Sequence, residues 1–181
     1  MRIVGGEARG RPLRSVPGRS TRPTADRVRQ SLFDLLGQRM DGLAVLDLYA
    51  GTGALALEAV SRGAARAVLV EKDARACAAI AHNIDSLGYA DRCRLLRGEL
   101  PMALRELRGE RFDLVFSDPP YALQAAQTIL DALVERALLS SAARVVLEMD
   151  RREQCPSPAA GLHVIADRNY GDTRALVVSA E

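Results

Sequence analysis

Val45-Leu46-Asp47-Leu48-Tyr49-Ala50-Gly51-Thr52-Gly53-Ala54-Leu55-Ala56 is the stretch on which the fold turns. An apolar run, two glycines one residue apart and an alanine-rich continuation spell strand, tight turn and helix in succession. Glycines at 51 and 53 let the backbone pass close to a ligand, and the helix that follows begins with free amide groups facing it. The same rhythm repeats outward along the chain. Strands near 43–48, 66–71, 93–97, 112–117 and 144–149 alternate with helices near 53–62, 73–87, 100–109 and 122–138. That alternation predicts an α/β fold with a mostly parallel sheet. Residues 162–170 and 174–179 read as two further strands around Tyr170-Gly171-Asp172-Thr173, a connection too short for a parallel crossover. An antiparallel C-terminal hairpin therefore completes a seven-stranded sheet.

With 181 residues, 48% hydrophobic and 27% charged, the chain can bury one ordinary core. No apolar stretch approaches the roughly 20 residues that cross a bilayer, and no signal-like segment follows Met1, so a cytoplasmic protein is expected. Cys77, Cys93 and Cys155 lack any CxxC spacing and have only His82 and His163 beside them. They read as ordinary buried or unreactive thiols, with neither a metal nor a disulfide expected. His82, Met102 and Met149 read as surface or packing residues, and Arg92, Arg94 and Arg97 as solvated charges near a strand.

The net charge of +2 hides an asymmetry. Residues 1–30 hold Arg2, Arg9, Arg11, Arg14, Arg19, Arg22, Arg27 and Arg29 against Glu7 and Asp26, a net +6 that leaves −4 for the remainder. A polyanion such as nucleic acid would be drawn to that end, because guanidinium groups neutralise phosphates and release counterions. Glycines and prolines between the arginines suggest a shaped hairpin rather than a loose arm. A helix follows, with Thr24 as N-cap and Val28, Leu32, Leu35 and Leu36 at helical spacing up to Gly37. Residues 1–40 thus read as a basic extension packed on the core domain over 41–181.

Ligands of open α/β sheets bind beyond the carboxyl ends of the strands. Glu71 ends the second apolar run twenty residues after Gly51, where a carboxylate accepts hydrogen bonds from both hydroxyls of a ribose. Glycine turn and carboxylate together point to a nucleoside-containing cofactor. Asp47, inside the strand, favours a cationic or amino-bearing ligand such as S-adenosylmethionine over a dinucleotide, whose pyrophosphate it would repel. Alternatively, Asp47 orders its own loop through backbone hydrogen bonds.

The most specific local signal is Phe112-Asp113-Leu114-Val115-Phe116-Ser117-Asp118-Pro119-Pro120-Tyr121. An apolar strand ends at Asp118, two prolines stiffen the chain, and one of only seven aromatic residues follows. The exocyclic amine of a nucleobase is a poor nucleophile, since its lone pair is delocalised into the ring. Asp118 and the Pro119 carbonyl can accept its two N–H bonds while Tyr121 stacks on the base. Proline offers no competing N–H, so the carbonyls are held in place.

Asp118-Pro119-Pro120-Tyr121 after the fourth strand, with Asp47 to Gly53 after the first, resembles the Rossmann-like class I S-adenosylmethionine methyltransferases that modify exocyclic amines. Ile3-Val4-Gly5-Gly6, Arg9-Gly10-Arg11 and Arg22-Pro23-Thr24-Ala25-Asp26-Arg27-Val28-Arg29-Gln30-Ser31-Leu32-Phe33 further resemble the RsmD family, bacterial enzymes that methylate guanine N2 in 16S (small-subunit) ribosomal RNA. The likeness runs from about Ile3 to Val178. It implies that Asp47, Tyr49, Gly51, Thr52, Gly53, Glu71, Lys72, Glu99 and Asp118 line the cofactor site and that Asp118, Pro119, Pro120 and Tyr121 hold the base. Related enzymes more often have aspartate or asparagine where Glu99 stands, which leaves its role in adenine recognition open. Arg2, Arg9, Arg11, Arg14, Arg22, Arg27 and Arg29 would grip ribosomal RNA or an assembling small subunit, with the enzyme working as a monomer. Three other readings stay open: an N6-adenine or N4-cytosine methyltransferase on RNA or DNA, a nicotinamide oxidoreductase, and a non-catalytic RNA-binding assembly factor.

Overall fold

The computed structural model describes residues 1–16, 23–120, 125–157 and 161–181. The chain runs α1 (Pro23–Leu36), β1 (Ala44–Leu48), α2 (Ala54–Ser61), β2 (Arg66–Glu71), α3 (Ala74–Leu87), β3 (Cys93–Arg97), a 3-10 turn (Met102–Leu107), β4 (Phe112–Ser117), α4 (Ala126–Glu135), β5 (Leu139–Asp150), β6 (Leu162–Tyr170) and β7 (Thr173–Ala180). The strands lie in the order β3-β2-β1-β4-β5-β7-β6. The first five are parallel, and β7 runs antiparallel between β5 and β6. Each parallel pair needs a crossover, which the intervening helical segments supply, whereas Gly171-Asp172 can join only an antiparallel pair. The winding direction reverses between β1 and β4, so a crevice opens beyond their carboxyl ends.

The central parallel strands β1, β2 and β4 are mostly apolar and buried because both faces are covered. Val45, Leu69, Leu114, Phe116, Val146 and Val177 point to one face and pack with Leu32, Phe33, Leu57, Val60 and Ile80 from α1, α2 and α3. Leu46, Leu48, Val68, Val70, Val115, Val145 and Leu147 point to the other and meet Ile129, Leu130 and Leu133 of α4 and Leu104 and Leu107 of the 3-10 turn. Phe33 and Phe116 bring their rings to 5.8 Å between centroids, tying α1 to the sheet. Burial of such a side chain stabilises by roughly 1.5–3 kcal/mol.

The first residues fold back on themselves. Arg2 bridges Pro12 in antiparallel fashion, the Ile3 N–H donates to the Arg11 carbonyl at 3.0 Å and the Gly10 N–H to the Ile3 carbonyl at 2.8 Å. Ile3, Ala8 and Leu13 of this hairpin join the cluster under α1. Glycine is required where the hairpin meets α2, since a Cβ on Gly6 would lie 1.9 Å from the Ser61 carbonyl oxygen. Wholly buried Glu58 of α2 ties the parts together. Its carboxylate accepts from the Val4 N–H at 2.8 Å, Arg62 Nε at 2.8 Å and Arg29 Nε at 3.4 Å.

Most elements match the periodicity, with three differences. The segment expected as a helix over 100–109 is a 3-10 turn only. The helix expected over 122–138 is described as Ala126–Glu135, with Ala137 at φ 52 turning the chain out of it. The fifth strand begins at Leu139 rather than 144, because β4 pairs with it across a bulge between Phe112 and Leu114.

Candidate active site

The loop after β1 is built around positive φ angles: Tyr49 at 60, Gly51 at 59 and Gly53 at 77. Gly53 caps α2 without a side chain, and a Cβ there would lie 2.8 Å from Leu69 Cδ2, so the loop is pressed onto β2. Asp47 supplies the cap from inside β1: it is 2% exposed and its carboxylate accepts the Ala56 N–H at 3.1 Å. The loop-ordering role set against a ligand role in the sequence is thus present in the geometry. Burial raises the Asp47 carboxyl well above the carboxylate range; the Ala56 N–H opposes this, and Asp118 and Glu71 add to it.

Glu71, at the end of β2, is buried and aimed at the same loop. Its carboxylate accepts the N–H groups of Gly51 at 2.9 Å, Lys72 at 2.8 Å and Asp73 at 2.9 Å. Three of about four acceptor positions are therefore used to hold the carboxylate still, leaving one for a ribose hydroxyl. Asp73 then caps α3 through the N–H groups of Arg75 and Ala76, both at 2.9 Å. Lys72 and Glu99 form an exposed ion pair at 3.1 Å on the rim. Burial raises the Tyr49 hydroxyl, and the Glu99 charge adds to it.

Across the crevice, β4 ends at buried Ser117, whose Oγ finds no hydrogen-bond partner. Asp118 is exposed at the mouth, its N–H donating to the Leu48 carbonyl at 3.4 Å; Pro119 is buried and Pro120 exposed. Tyr121 lies outside the described residues. The structure thus brings Asp47, Tyr49, Gly51, Thr52, Gly53, Glu71 and Asp118 to one end of the sheet, with Lys72 and Glu99 at its edge.

Several participants carried no clear sequence signal. Glu148 of β5 is half-buried beside Asp118, and its carboxyl is pushed up to about 8 by burial first and then by Asp118 and Asp47, against the pull of Arg29. An acidic residue inside the apolar run Val145–Met149 was the available clue, the same one that singled out Asp47. Wholly buried Asn83 of α3 donates to the carbonyls of Thr52 at 3.0 Å and Arg14 at 3.2 Å and accepts the Arg14 N–H at 2.7 Å. It holds the glycine loop and the N-terminal segment in one grip.

Arg2, Arg9, Arg11, Arg14 and Arg27 are exposed, as an RNA-gripping role requires. Arg29 instead turns inward: it is 5% exposed, bonded to the Arg2 carbonyl, and paired with Asp26 at 3.0 Å and Glu58. Arg22 lies outside the described residues. Between hairpin and α1 opens a cleft of about 910 Å³ lined in part by Arg2, Arg9, Arg27, Gln30, Gln38 and Arg39. His82 is exposed, as a surface residue should be. Cys77 is buried, but Cys155 is exposed, because it follows the turn that leaves β5. Among the described residues no group of side chains could hold a metal ion, and no helix is long and apolar enough to cross a membrane.

A site with several close carboxyls and a glycine cradle favours a nucleoside carrying positive charge, and S-adenosylmethionine fits it through its ribose and sulfonium. Comparison with known proteins agrees. The family model described as "Conserved hypothetical protein 95" matches residues 1–179. Ribosomal RNA small subunit methyltransferase D of Escherichia coli is 33% identical over 157 residues, covering 87% of this chain and 78% of that protein. YlbH of Bacillus subtilis is 34% identical over 175 residues, 96% and 95% of the two chains. The solved structure of yhhF from Escherichia coli superimposes with a TM-score of 0.88 at 30% identity, covering 100% and 98%. Fold, cradle and coverage together make this chain a member of the RsmD family, a methyltransferase with the Rossmann-like class I fold.

Proposed function

We propose that this enzyme transfers a methyl group to the exocyclic N2 amine of a guanine in small-subunit ribosomal RNA. The observation that carries the reading is the placement of Asp118 and Pro119 directly across the β1–β4 crevice from the Gly51–Gly53 cradle and Glu71. The arginine-lined cleft between the hairpin and α1 suits a phosphate backbone, and the relatives named for ribosomal RNA methylation support the substrate class. Such work is done in the cytoplasm, where that RNA is made and assembled.

Bound in the cradle, S-adenosylmethionine supplies an activated methyl group on a positively charged sulfur. Glu71 would hold the ribose, and the Tyr49–Gly53 loop with the α2 N-terminus would hold the amino-acid end. Asp118 and the Pro119 carbonyl accept the two amine hydrogens, which turns the nitrogen lone pair out of conjugation and toward the methyl group. Positive charge developing on that nitrogen is stabilised by Asp118, and the surplus proton passes to Asp118 or to water. Tyr121 would stack on a base displayed from a loop or flipped out of a helix. Residues 1–40 would serve as the RNA-binding extension of a methyltransferase domain over 41–181. Positioning two partners in one crevice supplies most of the rate.

The test is transfer of labelled methyl from S-adenosylmethionine to unmodified small-subunit RNA and to partly assembled subunits, followed by mass analysis of the nucleosides. N2-methylguanosine is expected. N6-methyladenosine or N4-methylcytidine would overturn the base, and absence of transfer by a protein that binds the cofactor would overturn the substrate.

A further inference from the structure

Asp118 and the Pro119 carbonyl suit any exocyclic amine, so they do not by themselves choose a base. The neighbouring group that can is Glu148. It follows Leu147, whose partner across the parallel ladder is Ser117, so its backbone lies beside that of Asp118. Val146, two residues before it, packs in the same cluster as Phe116 and Val45, the residues two before Asp118 and Asp47. By the two-residue period of strands, the three acidic residues share one sheet face in a stepped row: Asp118 and Glu148 stand side by side, and Asp47 lies one step deeper, level with Phe116 and Val146. Glu148 is only half-buried, so the row opens to the crevice at its end.

Resting on the guanine reading, we propose that Glu148 is the specificity-determining residue: its carboxylate accepts the N1–H that flanks the N2 amine held by Asp118. Among bases with an exocyclic amine, only guanine carries a ring N–H donor beside it. Adenine at N1 and cytosine at N3 present lone pairs, which a carboxylate repels and a protonated carboxyl or an amide can satisfy.

The surroundings set when that carboxylate exists. Asp118 on β4 and Asp47 on β1 oppose its ionisation, and Arg29 on α1 favours it. Tyr170 on β6 feels the Glu148 charge, along with those of Arg168 and Asp34, while the cross-strand partner of Glu148 on β7 is the neutral Ala175. With the carboxyl at about 8 in the empty site, protonation and therefore base preference change across neutral pH.

The experiment compares RNA carrying guanine at the methylated position with the same RNA carrying 2-aminopurine there, which keeps the N2 amine but has a lone pair at N1. For the wild type, the ratio of kcat/KM for guanine over 2-aminopurine should be on the order of 10-fold or more at pH 8.5. It should fall as pH drops to 6, since protonated Glu148 donates to the 2-aminopurine N1. In Glu148→Gln the ratio should be near one and independent of pH, because an amide both donates and accepts. A wild-type ratio that does not change with pH, or a pH-dependent ratio preserved in the variant, would overturn the role of Glu148. Failure to methylate guanine at all would instead overturn the guanine reading. The wild-type arm needs no variant, so misfolding of Glu148→Gln does not blunt the test.

Discussion

Glu58→Ala is expected to release the N-terminal hairpin from the body of the enzyme. The Glu58 carboxylate is wholly buried and faces two guanidinium groups whose side chains are each 4% exposed, Arg62 Nε at 2.8 Å and Arg29 Nε at 3.4 Å. It also receives the Val4 N–H at 2.8 Å, so one side chain joins α1, α2 and the hairpin. Removing it leaves two cations and one amide without that acceptor in a water-poor setting, at a cost of about 3–5 kcal/mol. The remaining contacts of Arg29 to Asp26 and of Arg62 to Gln30 hold the estimate toward the lower end. For a chain of this length, each kcal/mol lowers Tm by roughly 2–4 °C, which gives about 6–12 °C. The assay is thermal unfolding followed by circular dichroism, joined to hydrogen exchange at the Ile3 and Gly10 amides, both bonded within the hairpin. Protection at those amides should fall before the sheet opens. A Tm within 2 °C of wild type with full hairpin protection would refute the claim that Glu58 anchors this segment.

Asp118→Ala should reduce methyl transfer by about 10²–10³-fold while changing S-adenosylhomocysteine affinity less than threefold, because its acceptor acts on the amine; single-turnover rates and calorimetry separate the two. Glu71→Ala should weaken S-adenosylhomocysteine binding by about 10-fold or more, since both a ribose acceptor and the Gly51 N–H contact are lost. Replacing Arg9 and Arg39 together by alanine should flatten the dependence of RNA affinity on salt by about one to two units of log-log slope without altering cofactor affinity. The Glu148 carboxyl is raised from its ordinary value to about 8, so stability from its protonated form is present at acid pH and is lost as pH rises toward and through 8. Tm of the free protein should fall over that interval, and S-adenosylmethionine should restore more of it than S-adenosylhomocysteine, whose thioether sulfur carries no charge; equal effects would show that the carboxyls do not sense the sulfonium.

Much of this was legible along the chain. Strand, glycine turn and helix around Gly51–Gly53 leave a local signature because each depends on residues within one turn of the backbone. Asp118-Pro119-Pro120 is readable for the same reason, as proline dictates its own φ wherever it falls. The two-residue connection Gly171-Asp172 is likewise decisive, since no parallel crossover fits in it. The alternating apolar runs were sufficient for the parallel sheet because burial on both faces removes the polar alternation of a half-exposed strand.

What the chain could not show was set by register and by distance in sequence. Glu148 stands thirty residues from Asp118, and only the pairing of Ser117 with Leu147 makes them neighbours. Arg29 looked like one more cation of a basic arm, yet helical phase turned it onto Glu58, while Arg27 two positions earlier stayed in solvent. Asn83 carries no signal along the chain, and only the N-terminal segment lying across α3 makes it the link to Thr52. Local period and turn chemistry therefore determined the fold class and the two halves of the crevice. Tertiary structure decided which charges face each other, because an ion pair or a shared proton depends on separations of a few ångströms that no sequence interval encodes.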